Sequence, residues 1–209
     1  MELKSLKINF LGDSITEGVG ASSYENCYFS QFAAKTGALC RNYGISGTRI
    51  ARKIVPSDKP RYDLDFPSRV CEMDADADIV VVFGGTNDYG HGDAPLGTPE
   101  DHTVWSFYGG LHVLYDALQE RFPKAKIVIL TPMVRRDEVR EGYALPPFVE
   151  AVRQVAGEYA FPVLDLYRDY PIDLRDAEIM KKYMPDGLHP SDLGHGVLAD
   201  TLIKFLEEL

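Results

Sequence analysis

Five short apolar runs, separated by stretches of helical spacing, constrain this chain more than any other feature. They are LKINFLG (6–12), LCRNYG (39–44), DIVVVFGG (78–85), KIVILTP (126–132) and FPVLDLY (161–167). The third and fourth are nearly unbroken Val/Ile runs, the pattern of strands covered on both faces of a parallel sheet. Between the runs, apolar residues recur every three or four positions, as in Phe107, Leu111, Leu114 and Leu118, and in Val152, Val155, Ala156 and Tyr159. The last stretch repeats the pattern with Leu193, Val197, Leu198, Leu202, Phe205 and Leu209, behind a cap at Ser191 or Asp192. Tyr24, Tyr28 and Phe32 predict a further helix after the first run. Strands alternating with helices over residues 1–209, with no repeat or linker, predict one α/β domain with a parallel sheet and right-handed crossovers.

Charge narrows the range of partners. Lys and Arg number 22 against 32 Asp and Glu, a formal charge of −10. Nucleic acid and anionic membranes both demand basic surface, so neither is expected as a partner. The opening MELKSLKINFLGD is interrupted by Lys4 and Lys7 and lacks the pattern of a signal peptide. No run approaches the roughly 18 apolar residues of a membrane helix, so no membrane insertion is expected. Three scattered cysteines, Cys27, Cys40 and Cys71, read as thiols in a reducing compartment. A cytoplasmic protein is the resulting expectation.

In a doubly wound sheet, ligands bind beyond the carboxyl ends of the strands, where the strand order reverses. The first run ends in Gly12-Asp13-Ser14, which is either a turn or a nucleophile with its N–H at the start of a helix. The second ends in NYGISGTRI (42–50), where Gly44 and Gly47 are turn residues or points of close backbone approach to a substrate. The third ends in GGTND (84–88), where Asn87 either closes the strand or offers an amide donor to a developing negative charge. Near the C-terminus, MPDGLHPSDLGH sets Asp186 three residues before His189, and Pro190 holds His189 out of helical geometry. A carboxylate that accepts the Nδ1–H leaves Nε2 free as a base for a serine.

Other groups invite weaker readings. Asp13 as a phosphate-accepting nucleophile lacks the Asp-x-Asp pattern, since position 15 is Ile, and flavin mononucleotide would meet like charge at Asp13 and Glu17. His91, Asp93 and His102 have no common metal-ligand spacing, and MDADAD (73–78) reads as the solvated lead-in to the third strand. His195 is expected on the surface of the last helix, and Arg135 and Arg136 as a solvated pair. Trp105, Phe107 and Tyr108 are candidates to line a site, although Phe107 also fits a buried stripe. Two long loops, 88–104 and 133–147, are site walls or decoration.

Taken together and in order, GDSITEG, NYGISGT, GGTND and DGLHP resemble the four blocks of the SGNH hydrolases, the GDSL-type esterases and lipases. The resemblance spans residues 12 to 190. It implies a flavodoxin-like, three-layer α/β/α sandwich with a five-stranded parallel sheet in the order 2-1-3-4-5. It implies Ser14 as nucleophile, His189 as general base and Asp186 as its orienting acid. The implied oxyanion hole is the N–H of Ser14, the N–H of Gly47 and the side-chain amide of Asn87. Gly47 is preferred to Gly44 because Asn42 to Gly47 matches the family's N-x-x-x-S-G setting. Asp13 is implied to be structural, and no metal or organic cofactor is expected. The implied activity is carboxylic ester hydrolysis through an acyl-enzyme. A small acyl group is expected, such as acetyl on a carbohydrate, because the long loops are polar with interspersed aromatics. Lysophospholipid or thioester hydrolysis is the alternative.

Overall fold

The computed structural model describes residues 1–91, 93–140 and 143–209. All five apolar runs form strands: β1 (Lys7–Gly12), β2 (Leu39–Gly44), β3 (Ile79–Phe83), β4 (Lys126–Leu130) and β5 (Val163–Leu164). They pair in parallel in the order β2-β1-β3-β4-β5, the order the resemblance implies. The helices are α1 (Ser14–Glu17), α2 (Tyr28–Thr36), α3 (Phe66–Arg69), α4 (Thr86–His91), α5 (Phe107–Arg121), α6 (Leu145–Glu158), α7 (Leu166–Asp169), α8 (Ala177–Tyr183) and α9 (Asp192–Glu208).

Strand periodicity divides the core into two layers. Ile79, Val81 and Phe83 of β3 face a cluster built from Phe10, from Tyr28 and Phe32 of α2, and from Leu198, Leu202 and Leu206 of α9. Val80 and Val82 face the opposite cluster, with Leu111, Leu114 and Leu118 of α5 and Val149, Val152 and Val155 of α6. Each helix stripe read from the sequence is therefore a buried face, and Ser191 caps α9 as expected, accepting from the Gly194 N–H. Two ends of the last stripe depart from this: Leu193 and Leu209 are exposed.

Several expectations are corrected. Tyr24 lies in a single 3-10 turn, Tyr24–Asn26, and helix α2 begins only at Tyr28. The loop expected at 88–104 opens inside α4, and the one at 133–147 closes at the start of α6 after a short antiparallel pair, Val139–Arg140 with Tyr143–Ala144. MDADAD is the solvated lead-in to β3 that was expected, and its exposed acids also form ion pairs, Asp76 with Lys7 and Arg41, and Asp74 with Arg41. Those two cations hold the Asp76 carboxyl down at about 2.

Leu202 and Leu114 are fully buried, one in each layer, whereas Leu193 is about half exposed. Leu202→Ala or Leu114→Ala is expected to lower unfolding free energy by about 2–5 kcal/mol. Leu193→Ala should stay within about 0.5 kcal/mol of wild type. Urea titration followed by circular dichroism checks both, and equal effects at the buried and exposed positions would contradict the layered core.

Candidate active site

Parallel register sets the site. Gly12 lies opposite Gly44 on one side and Phe83 on the other, so β1, β2 and β3 end at one level. The chain leaves all three at that edge: into Asp13-Ser14, into Ile45-Ser46-Gly47 and into Gly84 through Asn87. Asp13 caps the single-turn helix α1, its carboxylate accepting from the Ile15 N–H at 3.0 Å. Ser14 is then the first helical residue, and its N–H has no acceptor among the described residues.

Local hydrogen bonds fix the second loop. The Ser46 N–H and hydroxyl both donate to Glu17, which also receives Arg61. Burial works against the Glu17 charge, yet these donors hold its carboxyl below the usual range. Gly47 follows with φ +77°, a left-handed conformation that glycine adopts freely. Its N–H is without a partner among the described residues. Gly44 is differently employed. Its N–H donates to Asn42 Oδ1 at 2.8 Å, and a side chain there would sit 2.3 Å from the Glu17 nitrogen.

The third loop is bolted onto the second. Asn87 Nδ2 donates to the Thr48 carbonyl at 2.9 Å, which leaves its other amide hydrogen uncommitted. Asp88, fully buried, accepts from the Ile50 and Ala51 N–H groups at 3.0 and 2.8 Å. Burial pushes its carboxyl up to about 7 despite those two donors.

From the C-terminal turn, His189 Nε2 lies 2.9 Å from Ser14 Oγ, accepting the hydroxyl proton. Its Nδ1–H donates to Asp186 Oδ2 at 2.7 Å. Asp186 Oδ1 accepts from the backbone N–H groups of Leu188 and His189 at 2.8 and 2.7 Å. Partial burial disfavours the Asp186 carboxylate, but these donors outweigh it and hold its pKa below the ordinary value. Ser14, Gly47, Asn87 and His189 line one cavity of about 370 Å³, together with Val19, Ser46, Arg49, Lys53, Ser57, Tyr62, His91 and Leu188.

The remaining candidates lie elsewhere. His195 is buried, not on the surface: it stacks on Tyr28, accepts from the Tyr28 N–H through Nδ1 and donates from Nε2 to the Val19 carbonyl. Arg135 is also buried, not solvated, and donates to the Thr86 carbonyl and hydroxyl at the start of α4. Arg136 is exposed, yet it braces the DGLHP turn by donating to the Pro185 carbonyl. Trp105, Phe107 and Tyr108 do not line the cavity. Trp105 is half exposed beside Arg52, Phe107 is in the core, and Tyr108 reaches Gln154. His91, Asp93 and His102 are not gathered: His91 lines the cavity, Asp93 lies against Arg49, and His102 stacks on His112.

Much of the cavity wall comes from Lys53, Ser57 and Tyr62, beyond the NYGISGTRI block, which sequence reading did not single out. The available signal was a stretch from Arg49 to Leu64 with neither strand nor helix periodicity, unusually long for a connection in a compact domain.

A parallel α/β sandwich carrying a hydroxyl–imidazole–carboxylate relay at the ends of its strands has the architecture of an ester hydrolase. The chain belongs to the GDSL-like lipase/acylhydrolase family, whose model matches residues 10–197, and it is a hydrolase. A GDSL lipase of Mycobacterium tuberculosis is 26% identical over 201 residues, covering 94% of this chain and 79% of that protein. A crystal structure of a Lactobacillus plantarum protein is 30% identical with a TM-score of 0.85, covering 98% of each chain. The acetyl xylan esterase AlAXEase shares the fold at 22% identity, with a TM-score of 0.67 over 95% of this chain and 98% of that one.

The buried Asp13 carries a pH signature. Burial raises its carboxyl from 3.8 to about 6, against the pull of the Ile15 N–H, His189 and Arg69. Below 3.8 both folded and unfolded chains hold the proton, and above about 6 both release it. In between only the folded chain keeps it, so Asp13 lowers stability as pH rises through that window, by roughly 3 kcal/mol in all. Asp13→Asn should remove that decline, so the difference in unfolding free energy between variant and wild type should grow from acid to neutral pH. A difference independent of pH would contradict a raised Asp13 pKa.

Proposed function

We propose that this chain is a serine esterase that hydrolyses short-acyl esters through an acyl-enzyme intermediate. The observation that carries the reading is the continuous relay from Asp186 through His189 to Ser14, ending in a cavity also lined by Gly47 and Asn87. His189 Nε2 takes the Ser14 proton as Oγ attacks the acyl carbonyl, and Asp186 stabilises the imidazolium that forms. The oxyanion is received by the N–H groups of Ser14 and Gly47 and by the uncommitted hydrogen of Asn87 Nδ2. The imidazolium then protonates the departing alkoxide. Water, deprotonated by the same nitrogen, attacks the acyl-enzyme; collapse of the second tetrahedral intermediate releases the acid and returns the proton to Ser14.

Support for a short acyl group comes from the modest cavity, about 370 Å³, whose lining includes the Ser46 and Ser57 hydroxyls and the Tyr62 ring. A sugar-like alcohol suits such a wall, since hydroxyls meet polar donors and the ring meets an aromatic face. A longer acyl chain is the second reading, favoured by Ile54 and Val55, which are 57% and 70% exposed next to Lys53. A cytoplasmic location belongs to the same proposal, supported by three free thiols at Cys27, Cys40 and Cys71.

Hydrolysis of para-nitrophenyl esters of increasing acyl length tests both parts. Turnover should fall from acetyl towards long chains and be lost in Ser14→Ala, with Ser14 labelled by a fluorophosphonate. Asn87→Ala should lower kcat by about a hundred- to a thousandfold. Normal turnover in Ser14→Ala would overturn the nucleophile, and turnover rising with chain length would overturn the short acyl group.

A further inference from the structure

An acidic chain has built a cationic cavity. Of the twelve residues lining it, none is Asp or Glu, while Arg49 and Lys53 are cations and His91 stands beside them. Arg49 is 5% exposed, and its Nε and one Nη have no hydrogen-bond acceptor among the described residues. Asp93 Oδ1 lies 2.7 Å from that Nη but outside hydrogen-bonding geometry, so it offsets charge without accepting a proton. Among the described residues Lys53 has one distant partner, Asp63 Oδ1 at 3.8 Å, and both oxygens of that carboxylate also accept from the Ser57 N–H at 3.0 Å. Of the other nearby acids, Glu17 is committed to Ser46 and Arg61, and Asp186 to His189 and the Leu188 N–H.

The Arg49 backbone is held in place. Its carbonyl accepts from the Phe66 N–H at 2.9 Å, and the next two N–H groups are clamped by Asp88. Two other buried arginines serve the fold: Arg135 donates to Thr86, and Arg69 donates to the Gly12 carbonyl and lies over the Phe66 ring, although its Nε and Nη1 also lack an acceptor among the described residues. Neither lines this cavity. Guanidinium donors without an acceptor cost free energy when buried, and an anion in the cavity would offer them charge-assisted hydrogen bonds.

We infer that the site takes esters whose alcohol portion carries an anionic group, a carboxylate or phosphate, received by Arg49 and Lys53. This rests on the esterase reading above. The anion falls on the alcohol portion because a short acyl group has no room to carry it. Arg49 stands two residues beyond Gly47, and His91 one helical turn beyond Asn87, so the loops that furnish the oxyanion donors also furnish the anion subsite.

The test compares para-acetoxybenzoate and para-acetoxyphenyl phosphate with neutral para-acetoxybenzamide, as the ratio of kcat/KM for each anion to that for the amide. Because each ratio is compared between wild type and variants, differences in intrinsic reactivity cancel. Arg49→Gln should lower the ratio by about tenfold or more, the loss of one charge-assisted hydrogen bond. Lys53→Gln, a partly exposed position that keeps the test open if Arg49→Gln does not fold, should lower it several-fold. The anion with the larger drop identifies carboxylate or phosphate. Ratios unchanged in the folded variants would overturn the inference. If no aryl acetate is turned over, the esterase reading fails by itself, and calorimetry on Ser14→Ala still decides the subsite. Tighter binding of an anion than of the amide, abolished by Lys53→Gln or Arg49→Gln, supports it; equal binding of all three overturns it.

Discussion

The pairing of β1 between β2 and β3 is the constraint on which the rest depends. Parallel strands point their carboxyl ends the same way, and here the register brings Gly12, Gly44 and Phe83 level. Three chain segments far apart in sequence therefore emerge at one edge within a few residues of one another. A one-residue slip would exchange the side chains of β1 between the two core layers and separate Ser14 from the Gly47 and Asn87 loops. The apolar pressure that fixes this register is considerable, since both faces of β3 are fully covered. Core packing and site geometry are thus one requirement.

Above that edge, two buried carboxylates and one partly buried hold the loops together. Asp13 caps α1, Glu17 receives Ser46, and Asp88 receives Ile50 and Ala51. Each spends its acceptors on N–H groups that a turning chain leaves unpaired, which is why acids are tolerated where burial disfavours their charge. Burial lifts Asp13 and Asp88 towards neutral pKa values, a conflict between stability and loop order concentrated at the site. The loops gain a fixed geometry from it, with the Ser14 and Gly47 N–H groups left without an acceptor among the described residues.

How far the sequence announced this differs from residue to residue. The strands were legible because β-branched runs bounded by glycine and proline leave little else to form, and the helices because their stripes face a sheet. The relay partners were legible because Asp186, Gly187 and His189 make a short polar turn, and the four blocks fell in a known order. His195 and Arg135 were misread for one reason: a polar side chain's burial depends on partners distant in sequence, Tyr28 and Val19 for one, Thr86 for the other. Tyr108 and Trp105 were unreadable as wall residues because an aromatic residue packs equally well into a core or a rim. The wall beyond the NYGISGTRI block, Lys53 to Tyr62, was missed because irregular backbone has no periodicity to read, and Arg49 is recognisable as a cavity residue only once Asp88 and Phe66 are seen to hold it.

The relay turn is the one part of the site not set by strand register, and it is braced from three directions instead. Arg136, leaving the β4 side, donates its backbone N–H to the Gly187 carbonyl and its guanidinium to that of Pro185. The segment after α1 presses from below, so closely that a side chain at Gly20 would lie 2.3 Å from the Pro190 oxygen. The Val19 carbonyl in that segment is itself held by buried His195 of α9, and Ser191 caps the same helix. The contact between Ser14 and His189 therefore joins a hydroxyl fixed by the sheet to an imidazole fixed by α9, α1 and the β4 exit. Both sides are positioned before any ligand arrives, and little freedom is left to lose when the proton moves. His195, absent from the relay, serves it in this sense: its two ring nitrogens tie the Val19 segment to α2, and the Val19 segment sets the height of His189.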